Sequence, residues 1–100
     1  MGGAVSNTRR HLNRIRQFRM EMGLTQRELA RMMGYESTSS LSHLEHGRKL
    51  PSFETMMKLQ AALQRFIEDI YPRQFGRIRG LVGKRREALF RKRGGMSAGE

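Results

Sequence analysis

Residues Leu24 to Ser52, read as LTQRELARMMGYESTSSLSHLEHGRKLPS, constrain the fold more than any other stretch of this chain. They begin as a short amphipathic helix. Thr25 stands where a side-chain oxygen accepts from a free helix amide, and Glu28, three residues on, completes the reciprocal capping pattern. Leu29, Met32 and Met33 turn inward, and Gly34 and Tyr35 interrupt the periodicity. A second helix follows, with Ser37 or Thr38 as its N-cap and an end near His46, where Gly47 supplies a left-handed stop. Leu41 and Leu44 are its only regular apolar anchors, and hydroxyls and His fill the remaining positions. A helix that buries so narrow a stripe contributes little to a core. It suits a DNA major groove about 12 Å wide, which admits one helix and offers donors and acceptors on every base edge.

The flanking segments read as scaffold. Leu12, Ile15, Phe18 and Met22 form an apolar stripe that predicts a first helix from about Thr8 to Met22, stopped by Gly23. Pro51 and Ser52 open a fourth helix whose apolar face holds Phe53, Met56, Met57, Leu59, Ala62 and Leu63. Phe66, Ile67, Ile70 and Tyr71 make a short fifth helix or turn, ended by Pro72. Met20, Met22, Met32, Met33, Met56 and Met57 mostly read as core filler. The expected fold is therefore all-α, a compact five-helix bundle around a central helix-turn-helix over residues 8–72. A flexible N-terminus (1–7) precedes it, and a basic extension (73–93) and a disordered tail (94–100) follow. Within the extension, Gly76, Gly80 and Gly83 weaken any helix before about Lys84, and KRREALFRKR is the better helical piece. Phe75, Ile78 and Val82 still keep helical spacing, so a docked sixth helix stays open.

Charge narrows the partner. Twenty Lys and Arg face nine Asp and Glu, a net +11, which favours an anion, nucleic acid before a membrane surface. The absence of Cys removes disulfides, thiolate metal sites and a Cys nucleophile. The three His (His11, His43, His46) lack metal-motif spacing, so neither a metal nor another cofactor is expected. No Ser-His-Asp set, phosphate loop or carboxylate pair argues for an enzyme. No apolar run is long enough to span a membrane, the N-terminus lacks the apolar region of a secretion signal, and a cytoplasmic setting is expected.

The ordered set Gly23-Leu24-Thr25-Gln26, Glu28-Leu29-Ala30, Gly34, Leu41-Ser42-x-Leu44-Glu45-x-Gly47 and Pro51-Ser52 resembles the Cro and phage-repressor (XRE-type) helix-turn-helix family. The resemblance runs from about Ile15 to Tyr71 and implies a lambda-repressor-like fold. It also implies a sequence-specific regulator of transcription on double-stranded DNA, with repression the better expectation because a minimal domain mostly blocks access. The spacing from Gly34 to Glu45 is one residue longer than the family's usual one, and the extra residue falls in Tyr35–Ser37.

Candidate base readers are Ser37, Thr38, Ser39, Ser42 and His43, His43 being the best single one because imidazole can donate to guanine N7 or O6. The bland alternative makes the hydroxyls caps and leaves His43 in solvent. Gln26, His46, Arg48 and Lys49 are candidate phosphate contacts, Gln26 by the resemblance. The resemblance also implies an ion pair between Arg19 and Glu45 that holds the reading helix and touches no base. Useful specificity generally needs two half-sites, so a homodimer is expected, with Phe66, Ile67, Ile70, Tyr71, Phe75, Ile78 and Val82 as candidate contacts. Residues 73–93 hold nine Arg or Lys and one acid. They read as a solvated run, as a second phosphate-binding arm, or as a segment that takes an acidic protein partner, as in an antitoxin or a transcription-bridging protein.

Overall fold

In a computed structural model of the chain, residues 10–94 are described. Among the described residues six helices follow one another: α1 (Ile15–Glu21), α2 (Gln26–Met32), α3 (Ser39–Glu45), α4 (Phe53–Leu63), α5 (Ile67–Ile70) and α6 (Pro72–Lys92). The described residues contain no strand. The expected flexible N-terminus (1–7) lies outside the described residues, as does the expected tail beyond Gly94.

The helix ends follow from local chemistry. Thr25 Oγ1 accepts from the Glu28 amide at 3.0 Å while Glu28 Oε1 accepts from the Thr25 amide at 2.9 Å, the reciprocal box expected from sequence. Ser52 Oγ accepts from the Thr55 amide at 3.2 Å and starts α4. The first three helices end alike. Leu24, Tyr35 and Arg48 each donate a backbone amide to the carbonyl five residues back, at Arg19, Ala30 and His43. The intervening residue is Gly23, Gly34 or Gly47, each at positive φ.

The start of α1 corrects the expected helix from Thr8. Asn13 Oδ1 accepts from the Ile15 amide at 3.0 Å, while Asn13 Nδ2 donates to the His11 and Leu44 carbonyls at 3.0 and 2.8 Å. An Asn that bonds the backbone two residues ahead competes with the helix and sets its boundary. Residues 10–14 therefore run as an irregular arm, and Leu12 is exposed.

Ile15, Phe18, Leu29, Ala30, Met33, Leu41, Leu44, Leu59, Leu63, Ile70 and Tyr71 form one buried cluster to which each of α1–α5 contributes, with Met33 and Tyr71 just past the ends of α2 and α5. Each fully buried Leu or Ile contributes about 1.5–3 kcal/mol relative to exposure. Tyr35 packs half-buried against this cluster, and its hydroxyl lies 3.3 Å from Thr55 Oγ1. The six methionines expected as filler mostly do not fill the core: of them Met33 is buried, Met56 is half-buried, and Met20, Met22, Met32 and Met57 are exposed. On α2 the reason is angular. Leu29, Ala30 and Met33 share one face at 100° per residue, and Met32 falls about 100° off its centre. The face of α4 is narrower than expected too, since Leu59 and Leu63 are buried but Phe53 is 71% exposed.

The short α5 stops at Ile70, just before Pro72 as expected, and Pro72 itself opens the next helix. It stands in the first turn of α6, where its fixed φ suits the helix and its missing N–H would have had no partner. The helix then continues through Gly76, Gly80 and Gly83 to Lys92. Glycine costs about 1 kcal/mol relative to Ala at an interior helix position. Contacts at the first turns oppose that cost: Gln74 Nε2 donates to the Leu12 carbonyl at 3.1 Å, and the Arg79 guanidinium stacks on Phe75. No residue of α6 is buried, so most of this helix projects into solvent.

Candidate nucleic-acid interface

α3 has two opposite sides. Leu41 and Leu44 are buried, which directs Ser39, Ser42, His43 and His46 to the other side by the 100° helical step. Ser39, His43 and His46 are exposed and Ser42 is half-buried. Thr38 is the N-cap residue, yet its side chain makes no capping hydrogen bond. Ser37 Oγ accepts from the Ser39 amide only at a long 3.4 Å. The hydroxyls of Thr38 and Ser39 are therefore not taken up by the helix end, and the His43 ring has no hydrogen-bond partner among the described residues. Ser37 is exposed at the end of the turn that leads into α3.

Arg19 and Glu45 tie this helix to the scaffold. Arg19 Nε donates to Glu45 Oε2 at 2.6 Å, and Arg19 Nη2 donates to Oε1 at 3.2 Å. The two side chains keep only 12% and 3% of their surface exposed. A third donor, Gln26 Nε2, reaches Glu45 Oε1 at 3.0 Å, and Arg19 Nη1 donates to the Leu24 carbonyl at 2.9 Å. One carboxylate thus joins α1, the start of α2 and the end of α3. One N–H of the Gln26 amide is engaged by Glu45, and the other is left for an external acceptor.

At the far end of α3, His46 Nδ1 lies 2.8 Å from the Ser42 carbonyl. A carbonyl only accepts, so Nδ1 carries the hydrogen and a neutral ring offers Nε2 as an acceptor. Only the imidazolium of His46 donates to a phosphate there. Arg48 and Lys49 are exposed in the turn that follows. A cleft beside them is lined by Arg10, Asn13, Arg16, Gln26, Glu45 and His46 among others. Its only carboxylate, Glu45, is already matched by Arg19, so the cleft is cationic.

Asn13 is the structurally important residue that the sequence reading missed. It bonds the arm to the Leu44 carbonyl near the end of the reading helix. Its signal was an Asn two residues before the first buried position of α1. Ile70 and Tyr71, expected at a dimer contact, are instead buried in the chain's own core because α5 folds back over α4.

The helix-turn-helix family profile matches residues 15–67, just over half of the chain. The chain is a helix-turn-helix protein of the Cro and phage-repressor type. Among solved structures it is similar to that of the clp gene regulator ClgR from Corynebacterium glutamicum. That likeness has 32% sequence identity and a TM-score of 0.54, and covers 75% of this chain and 79% of the other. A search of curated proteins finds none that matches. The paired helices of the motif are α2 and α3, and in helix-turn-helix proteins the second of the pair is the one that lies in the major groove. Among the described residues, no helix is long and apolar enough to cross a membrane.

Proposed function

We propose that this helix-turn-helix protein is a transcriptional regulator that reads the major groove of double-stranded DNA with α3 and represses by occupying its site. The observation that carries the reading is the exposed side of α3, where Ser39, Ser42 and His43 stand opposite the buried Leu41 and Leu44. Small hydroxyls and one imidazole there allow close approach to base edges and offer both donors and acceptors. In this reading Thr38 and Ser37 contact bases nearest the helix start. Gln26, Arg48 and Lys49, with His46 in its imidazolium form, hold the flanking phosphates, and these contacts set the register without reading sequence. The similar structure is that of a gene regulator, ClgR, which agrees with this role.

The same reading includes a homodimer. One helix of this length covers only a few base pairs, and specificity then comes from two half-sites about one helical turn apart. The exposed stripe of Ile78, Val82 and Leu89 on α6, continued by the half-buried Phe75, supports a second copy as the partner of that helix. The test is selection of duplexes from a random pool at about 150 mM salt, a concentration at which non-specific binding is weakened. An enriched inverted repeat with constant half-site spacing is expected, and His43→Ala should flatten the preference at one position of each half-site. Retention of duplexes with no enriched motif would refute base reading.

A further inference from the structure

The arm of residues 10–14 joins two parts of the molecule that the sequence keeps apart. The His11 amide donates to the Gly47 carbonyl at 2.8 Å, just past the end of the reading helix. The next residue, Leu12, accepts from Gln74 Nε2 at 3.1 Å in the first turn of α6. Adjacent residues lie about 3.8 Å apart, so the end of α3 and the start of α6 meet across a single step of the arm. Two shallow clefts open there and share Arg10. One holds Arg16, Gln26 and His46 beside the reading helix. The other holds Arg10, His11, Arg73, Gln74 and Arg77.

Charge makes this continuity meaningful. Arg10, Arg16, Arg73 and Arg77 form no ion pair with any acid among the described residues. The second cleft has no acidic residue in its lining. Arg79 and Arg86, on another side of α6, are engaged by contrast: Arg79 approaches Glu68 at 3.9 Å, and Arg86 stacks on Phe90. Arg73 and Arg77 share a face at the i, i+4 spacing, and Lys84 and Arg91 return to it 11 and 18 residues after Arg73. That face is about 27 Å long at 1.5 Å per residue. Four arginines without counter-charges, spread over two clefts that share Arg10, suit an extended anion with many charges. A planar guanidinium fork matches the paired oxygens of a phosphate or a carboxylate, so position rather than fork geometry must choose between them.

We infer that the start of α6, through Arg73 and Arg77 with Arg10 and Arg16, extends the phosphate-binding surface of the reading helix along the DNA backbone flanking each half-site. The inference rests on the DNA-reading role proposed above. It gives α6 a task that the helix-turn-helix unit does not contain. The observations favour a nucleic-acid backbone over an acidic protein because the second cleft abuts, through Arg10, the cleft beside the reading helix.

The test uses the full chain and a fixed duplex carrying the selected site, with affinity read by fluorescence anisotropy between 50 and 300 mM salt. Each lost phosphate contact removes about 0.9 from the slope of log K against log salt. Arg73→Gln with Arg77→Gln should therefore make the slope shallower by about 1.8 and leave the preferred sequence unchanged. Arg79→Gln with Arg86→Gln removes the same net charge from the other side and should change the slope by less than half as much. Equal changes in the two double variants would overturn the inference, because net charge alone would then explain them. So would an unchanged slope in the first variant, including the case where that variant instead loses binding to polyglutamate, the mark of an acidic protein partner. Melting temperatures of both variants exclude misfolding as the cause. If the wild-type chain prefers no sequence, base reading by α3 fails, while the slope comparison, made on an arbitrary duplex, still decides the role of α6.

Discussion

Replacing Glu45 by Ala tests the central fastening of α3. The substitution removes the acceptor of three hydrogen bonds, two from Arg19 and one from Gln26. It leaves the Arg19 guanidinium, 12% exposed, without its counter-charge. Breaking a buried pair from one side costs about 3–5 kcal/mol. Arg19 keeps its bond to the Leu24 carbonyl and a little contact with water, which sets the expectation near the lower end, about 3 kcal/mol. For a domain of this size each kcal/mol moves Tm by about 4–8 °C, so Tm should fall by roughly 12–24 °C. Heating monitored by circular dichroism at 222 nm reads this directly. Glu54→Ala is the internal control. Glu54 pairs with Lys58 at 3.3 Å, but its side chain is 74% exposed, and such i, i+4 pairs contribute about 0.3–0.5 kcal/mol. A drop in Tm no larger for Glu45→Ala than for Glu54→Ala would refute the reasoning. The double change Arg19→Met with Glu45→Met should recover part of the loss, because no buried charge is then left alone.

Other perturbations separate further contributions. Gly47→Ala should destabilise the chain by about 2–3 kcal/mol, through the left-handed backbone and a new Cβ 2.9 Å from the His11 carbonyl oxygen, whereas Gly34→Ala meets open space and should cost about 1 kcal/mol; urea melts distinguish the two. Gly80→Ala, on an exposed helical position with nothing within 4 Å, should raise stability by about 0.5–1 kcal/mol in the same assay. Tyr71→Phe should stabilise by about 1 kcal/mol, since the buried Tyr71 hydroxyl has no hydrogen-bond partner among the described residues. Burial pushes the Tyr71 phenol from 10.0 up to about 12, so the folded state holds the proton more tightly than the unfolded chain. Stability from this group is intact below pH 10 and is lost as pH rises towards 12, a decline that Tyr71→Phe should remove when Tm is measured at pH 9 and pH 11.

The helix-turn-helix was legible because its signals are local. A capping box needs four residues, and a left-handed helix end needs one Gly, so Thr25, Glu28, Gly34 and Gly47 declare the boundaries of α2 and α3 without help from distant contacts. The two apolar anchors of α3, Leu41 and Leu44, likewise identify the side that must turn away from the core. The family resemblance added the Arg19 and Glu45 partnership across 26 residues, which periodicity alone does not contain.

What failed were readings in which one local pattern served two outcomes. Gly76, Gly80 and Gly83 read as breakers, yet the helix that begins at Pro72, directly after the expected end of α5, runs through all three, with its first turn docked on the arm through Gln74. Adjacent methionines look equally apolar, yet a helix buries one face, and the neighbours of α2 admit Met33 while leaving Met32 56% exposed. Sequence by itself therefore determined the all-helical class, the paired helices and the cationic excess, since each rests on nearest-neighbour backbone chemistry or on a simple sum of charges. Tertiary structure alone decided where the arm lies, which cations lack partners and which surface they share. Those properties depend on distances between residues far apart in the chain, such as His11 with Gly47 and Leu12 with Gln74, and no local periodicity encodes them.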